Sequence, residues 1–139
     1  MPARDLYHDA VVSALLKDGW TITDDPYHIA YGSRDLYIDL GAERFTIAAE
    51  KQAQKIAVEI KNFSSPSPIS DLEAAIGQYG LYRILIEETQ PDRVLFLAAP
   101  LRAYEGILTE KFGQFVIDKL QIRLLIFDEN QERIVKWIS

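Results

Sequence analysis

The chain has 139 residues, 48% hydrophobic and 26% charged, with 21 acidic against 15 basic side chains and a formal charge of −6. That composition fits one globular domain spanning 1–139, with no room for a second, and the acidic balance argues against indiscriminate nucleic-acid binding, because phosphate contacts need clustered Lys and Arg. No apolar run approaches the ~20 residues needed to cross a membrane, residues 1–6 carry no signal-peptide core, and the absence of cysteine removes disulfides and thiolate metal sites; the cytoplasm is the expected compartment.

Residues 3–18 place Leu6, Ala10, Val11, Ala14 and Leu15 at helical spacing, with Arg4, Asp9, Ser13 and Lys17 between them. They predict a first helix that stops at Gly19. Trp20, Ile22 and Ile29 read as extended chain, interrupted at Asp24-Asp25-Pro26. Residues 36–40 predict a strand broken by Gly41, with 44–49 continuing it after a bend or bulge and 51–54 forming a polar turn. Residues 55–63 are the clearest strand. Ile56, Val58 and Ile60 point one way; Ala57, Glu59 and Lys61 point the other.

The Pro and Ser residues of 64–68 end that strand. A second helix is expected from an N-cap at Ser70, with Glu73 three residues later as a capping box, to about Glu88, ahead of Pro91. Residues 93–99 have the length of a buried strand. Residues 104–120 predict a third helix weakened at Gly113, and 122–127 and 133–138 predict a closing hairpin. The class is α/β: a mixed sheet with helices packed against it.

The chemistry centres on Glu59 and Lys61, two apart on one strand and therefore on one face. Charges on the small-residue side of an apolar strand are costly without a partner. Asp39, near an upstream strand break, supplies a second carboxylate. Two converging carboxylates, a backbone carbonyl such as that of Ile60, and waters make an oxygen-rich site for Mg²⁺. A metal there lowers the pKa of bound water, and Lys61 can orient that water or neutralise charge on a phosphate. Glu-x-Lys alone is common, and its bland reading is an ion pair on a solvated edge. The apolar strand around it, Asp39 upstream, and Gln78 and Tyr82 one turn apart on the next helix favour the site.

Other residues compete. Asp35 is an alternative to Asp39 that spacing does not separate, and Glu50 is a weaker rival of Glu59. Asp9 is either a further ligand or a solvent-exposed acid. His8 and His28 lack zinc spacing, and His8 is expected on a helix surface or cap. Tyr79, Tyr82 and Tyr104 read as core before they read as base-stacking platforms. No Gly-rich phosphate loop is present.

The arrangement of Asp39, Val58-Glu59-Ile60-Lys61 and Gln78 with Tyr82 resembles the PD-(D/E)xK restriction-endonuclease-like superfamily, without its usual proline before the first acid. That resemblance implies a restriction-endonuclease-like fold with a catalytic Asp39, Glu59 and Lys61. It also implies Mg²⁺ on Asp39, Glu59 and the Ile60 carbonyl, and Asp9, Gln78 and Tyr82 as accessory groups. A match over nearly the whole chain is closer. Leu6-Tyr7-His8-Asp9-Ala10-Val11, Lys17-Asp18-Gly19-Trp20, Tyr37-Ile38-Asp39-Leu40-Gly41-Ala42-Glu43, Ala57-Val58-Glu59-Ile60-Lys61, Gly77-Gln78-Tyr79 and Val135-Lys136-Trp137-Ile138 are similar to the cyanobacterial XisH family, the fdxN-element excision controlling factors. This resemblance favours Asp39 over Asp35. It implies a controlling factor for developmentally regulated excision of a DNA element, built on a Mg²⁺-dependent nuclease-type fold. Its implied partners are DNA, an XisI-like companion and a site-specific recombinase. A homodimer is expected too, since nucleases of this kind often dimerise. Two alternatives stand beside it: an active metal-dependent endonuclease, and a non-catalytic scaffold or partner-binding subunit.

Overall fold

The computed structural model describes residues 6–45 and 53–139. The first helix, α1 (His8–Lys17), buries Ala10, Val11, Ala14 and Leu15. Gly19, at φ +87°, turns the chain out of it in a conformation that other residues rarely adopt. The helix opens at His8 rather than at residue 3; residues 1–5 lie outside the described part. Strand β1 (Thr21–Asp24) follows, then a hairpin of β2 (Tyr27–Tyr31) and β3 (Arg34–Ile38). This hairpin forms its own two-stranded sheet.

Strand β4 (Leu40–Arg44) begins one residue after β3 ends, so the break falls at Asp39 and not at Gly41. Gly41 sits inside β4 because nothing larger fits: a Cβ there would lie 2.9 Å from both Asp24 Oδ2 and Tyr27 Cδ2. Of the expected continuation over 44–49, Arg44 already ends β4 and residues 46–49 lie outside the described part, as do residues 51 and 52 of the expected turn over 51–54, whose last residue, Gln54, belongs to the next strand. Strand β5 (Gln54–Ile60) is central and buried from Ile56 to Ile60. It is shorter than the 55–63 expected, because residues 61–63 leave the sheet towards Phe63, whose φ is +54°.

The second helix, α2 (Pro68–Thr89), is capped three residues before the predicted cap. Ser67 is the N-cap: its Oγ accepts from the Ser70 amide at 3.2 Å. Pro68 takes the first helical position, where its missing N–H costs nothing. Strand β6 (Arg93–Pro100) follows. The single third helix expected over 104–120 is two pieces, α3 (Leu101–Tyr104) and α4 (Lys111–Leu120). Gly113 is not the weak point. It lies in α4, packed so closely on the Ile107 carbonyl that a Cβ would overlap it. Strands β7 (Leu124–Asp128) and β8 (Arg133–Ile138) close the chain as the expected hairpin.

The large sheet runs β1-β4-β5-β6-β7-β8. Strands β5, β6 and β7 are parallel, joined by crossovers through α2 and through α3 and α4; the remaining neighbours are antiparallel. Alternation along β5 divides the interior into two cores. Ala57, Leu95 and Leu97 face α2, α4 and the β2–β3 hairpin. Ile56, Val58, Ile60, Phe96 and Ala98 face α1 through Val11 and Leu15. Each fully buried Leu contributes about 2 kcal/mol of hydrophobic stabilisation. Helix α1 touches both edges of the sheet, β1 and β8, so the sheet curls around it, and Trp20 ahead of β1 lies 5.7 Å from Trp137 of β8. Among the described residues no helix is long and apolar enough to cross a membrane.

Candidate functional site

The carboxyl ends of β5 and β6 meet the β3–β4 break. Leu40 pairs with Val58 across β4 and β5, which brings Asp39 opposite Glu59. Two hydrogen bonds lock the pair in reciprocal fashion. The Ile60 amide donates to Asp39 Oδ2 at 2.8 Å, and the Asp39 amide donates to Glu59 Oε1 at 3.3 Å. Each carboxylate therefore braces the other's strand with one oxygen. Asp39 Oδ1 and Glu59 Oε2 are left without an N–H donor among the described residues.

Glu59 is 7% exposed. Burial pushes its carboxyl up to about 8, and the negative charge of Asp39 adds to that rise; the Asp39 amide and the Lys61 ammonium pull the other way without offsetting it. Lys61 stands just past β5. Its amide donates to the Ala98 carbonyl at 2.9 Å, which keeps the chain extended for one more residue. Its side chain is half-buried, and it makes no ion pair within 4 Å among the described residues.

A cleft of about 440 Å³ opens over this pair, lined by Asp39, Glu59, Ile60, Lys61 and Gln78 together with the 62–65 turn and Asp71. Tyr82 sits one turn beyond Gln78 on α2. Burial raises its pKa, and the Glu59 and Asp39 charges raise it further, so the phenol lies within their field and stays a proton donor. Asp9 is exposed in the first turn of α1 and is not among the residues lining the cleft.

The rivals separate cleanly. Asp35 lies on the outer hairpin, paired with His28 at 2.7 Å, while Glu50 falls outside the described residues. His8 is neither on a surface nor in the cluster: it is 5% exposed and its Nε2 pairs with Asp25 at 2.9 Å. Tyr79 is core, its hydroxyl bridging the Leu95 carbonyl and the Arg123 amide. Asp71 is the cleft residue that pattern reading passes over. It accepts from the Ser65 amide at 3.2 Å, and an N-cap placed at Ser67 rather than Ser70 would have put it in the first helical turn, facing the loop.

No cluster of three or more His, Cys, Asp or Glu side chains exists among the described residues. The donor set is two carboxylates and the Ile60 carbonyl, all oxygen. It fits a hard divalent cation that keeps most of its waters, as Mg²⁺ does.

This is a mixed α/β protein with a paired-carboxylate cleft at the carboxyl ends of its parallel strands. The XisH protein family matches residues 1–135, and the chain belongs to that family. The crystal structure of an fdxN element excision controlling factor protein from Anabaena variabilis is similar, with 42% identity, a TM-score of 0.88, and coverage of 98% of this chain and 100% of that one. An XisH family protein from Nostoc punctiforme is similar at 40% identity and a TM-score of 0.87, covering 97% of this chain and 100% of that one. No curated protein gives a significant match.

Proposed function

We propose that this chain is a controlling factor for excision of a DNA element, and that it acts through a Mg²⁺-dependent phosphodiester-cleaving site on a restriction-endonuclease-like fold. The observation that carries the reading is the reciprocal bracing of Asp39 and Glu59, two carboxyls held side by side, with Lys61 in the same cleft and in no ion pair within 4 Å among the described residues. A structural ion pair would have used Lys61 to neutralise Glu59; here the carboxyl is instead held up to about 8, poised to exchange its proton for a cation. A Mg²⁺ ion bound there would supply an acidic water and neutralise charge on a phosphate.

The chain's own residues do the rest. Asp39 and Glu59 would hold the cation, with the Ile60 carbonyl beside them. Lys61 orients the attacking water and offsets the charge developing on the scissile phosphate. Gln78 lines the α2 side as a hydrogen-bond donor to substrate, and the Tyr82 phenol stands one turn behind it, outside the lining itself. Cleavage of plasmid or branched DNA with and without Mg²⁺ tests this. Asp39→Ala, Glu59→Ala and Lys61→Ala each abolish cleavage with the fold intact, and cleavage surviving in all three would falsify the assignment.

The charge of −6 favours a second reading, a non-catalytic scaffold that recruits an XisI-like companion or the recombinase, with a basic partner or a homodimer completing the DNA-binding surface. Excision measured in cells separates the two. A Glu59→Gln chain that still supports full excision selects the scaffold; one that fails while still folding selects the nuclease.

A further inference from the structure

A second cleft of about 440 Å³ lies at the other end and on the other face of the large sheet. The carboxylate cleft sits on the α2 side at the carboxyl ends of β5 and β6. This one sits on the α1 side at their amino ends, where the curled sheet is not covered by α1. Its lining draws on every part of the large sheet, from Trp20 ahead of β1 to Trp137 on β8. The chain has two tryptophans, and both are here. Trp20 and Phe96 are nearly buried and buttress Trp137, with centroid distances of 5.7 and 4.9 Å. The Trp137 ring is itself only half-buried, so it is the platform that remains.

Cations surround that platform. Arg44 ends β4, Lys55 is the second residue of β5 and Arg123 precedes β7. Arg44 is braced by Asp18 and stacked 4.5 Å from the Trp20 centroid, yet its Nε is buried without a partner. The Arg123 guanidinium has no hydrogen bond or ion pair among the described residues. Lys55 has only a 3.8 Å contact with Asp92, which is largely solvent-exposed. In an acidic chain, this lining holds three basic side chains against one acidic one, Asp92.

We infer that the Trp137 cleft binds single-stranded DNA, with a base stacked on Trp137 and backbone phosphates at Arg44, Lys55 and Arg123. A partly exposed indole in a cleft lined by cations is the pairing that sequence-tolerant strand binding uses. A strand suits it better than a free nucleotide. No Gly-rich loop offers a nest for a polyphosphate. The basic groups also stand across β4 to β7, three strand spacings or ~14 Å, farther than one phosphate reaches. The site is separate from the carboxylate cleft and does not depend on cleavage there.

Both tryptophans lie in the cleft, so intrinsic fluorescence reads it directly. The full chain is titrated with a twelve-residue oligothymidylate in EDTA, where metal-dependent cleavage is silent. Saturable quenching is expected. Affinity should fall with salt at a log–log slope between about −1.4 and −2.1, the value for two or three phosphates on a single strand. Trp137→Ala and Arg123→Ala should each weaken binding at least about fivefold; Arg123→Ala leaves the core untouched, and thermal melting checks that both variants fold. Absence of quenching, binding unchanged in Arg123→Ala and Lys55→Ala, or thymidine monophosphate binding as tightly as the oligomer would each overturn the inference. Failure here leaves the cleavage reading standing, because cleavage is read separately with Mg²⁺ present.

Discussion

Asp39 and Glu59 hold each other's backbone: Asp39 Oδ2 accepts from the amide that follows Glu59 at 2.8 Å, and Glu59 Oε1 accepts from the Asp39 amide at 3.3 Å. The geometry fixes two carboxylates side by side at low exposure, where ionising both is unfavourable. The energetic cost falls on Glu59.

That cost has a sign. The folded-state pKa of Glu59 is raised from 4.5 to about 8, so the folded chain binds this proton more tightly than the unfolded chain does. The penalty is absent below about pH 4.5, grows as pH rises, and is complete above about 8. Glu59→Gln removes it. The variant should match the parent near pH 4 and exceed it in stability by several kcal/mol, on the order of 5, at pH 9, as measured by urea unfolding across pH. A variant that loses stability as pH rises would contradict the reading.

The same proton links metal binding to pH. Below about 8 a cation entering the cleft must displace it. Apparent Mn²⁺ or Mg²⁺ affinity should rise by up to about tenfold per pH unit between pH 6 and 8, then level off. Calorimetry in buffers of different ionisation enthalpy should find about one proton released per ion at pH 7. A flat profile would place the cation elsewhere.

Gly41 lies where β1, the β2–β3 hairpin and β4 crowd together. A methyl group there meets Asp24 Oδ2 and Tyr27 Cδ2 at 2.9 Å. Gly41→Ala should cost about 1–3 kcal/mol and, two residues from Asp39, should disturb the cleft as well. Unfolding and cation binding measured on one sample test both effects together.

The two serines at the start of α2 give a sharper test of local structure. Ser67 Oγ accepts from the Ser70 amide, so Ser67→Ala should cost about 1 kcal/mol. Ser70→Ala removes no cap and should be close to neutral. The reverse order would restore the cap to Ser70.

Much of the site was legible because it is carried by local pattern. Alternation on β5 puts Ile56, Val58 and Ile60 on one face and Glu59 with its small neighbours on the other, and a central strand enforces that alternation on both sides. Gln78 and Tyr82 follow from one turn of helix. Contacts between distant segments were not legible. Asp39, not Gly41, ends β3, because the chain there switches from the hairpin to the large sheet. Gly113 packs on the Ile107 carbonyl of the segment between α3 and α4, a contact that no local propensity announces. His8 is buried by Asp25 from a turn seventeen residues away. The Trp137 cleft exists only because the sheet curls until its two edges approach.

The central claim is that Asp39 and Glu59 form a cation site, and anomalous diffraction from crystals soaked in Mn²⁺ tests it most directly. One peak is predicted, touching Asp39 Oδ1, Glu59 Oε2 and the Ile60 carbonyl, and lost in Glu59→Gln. Saturating Mn²⁺ that leaves this cleft empty, or that binds only at other carboxylates, would contradict the account.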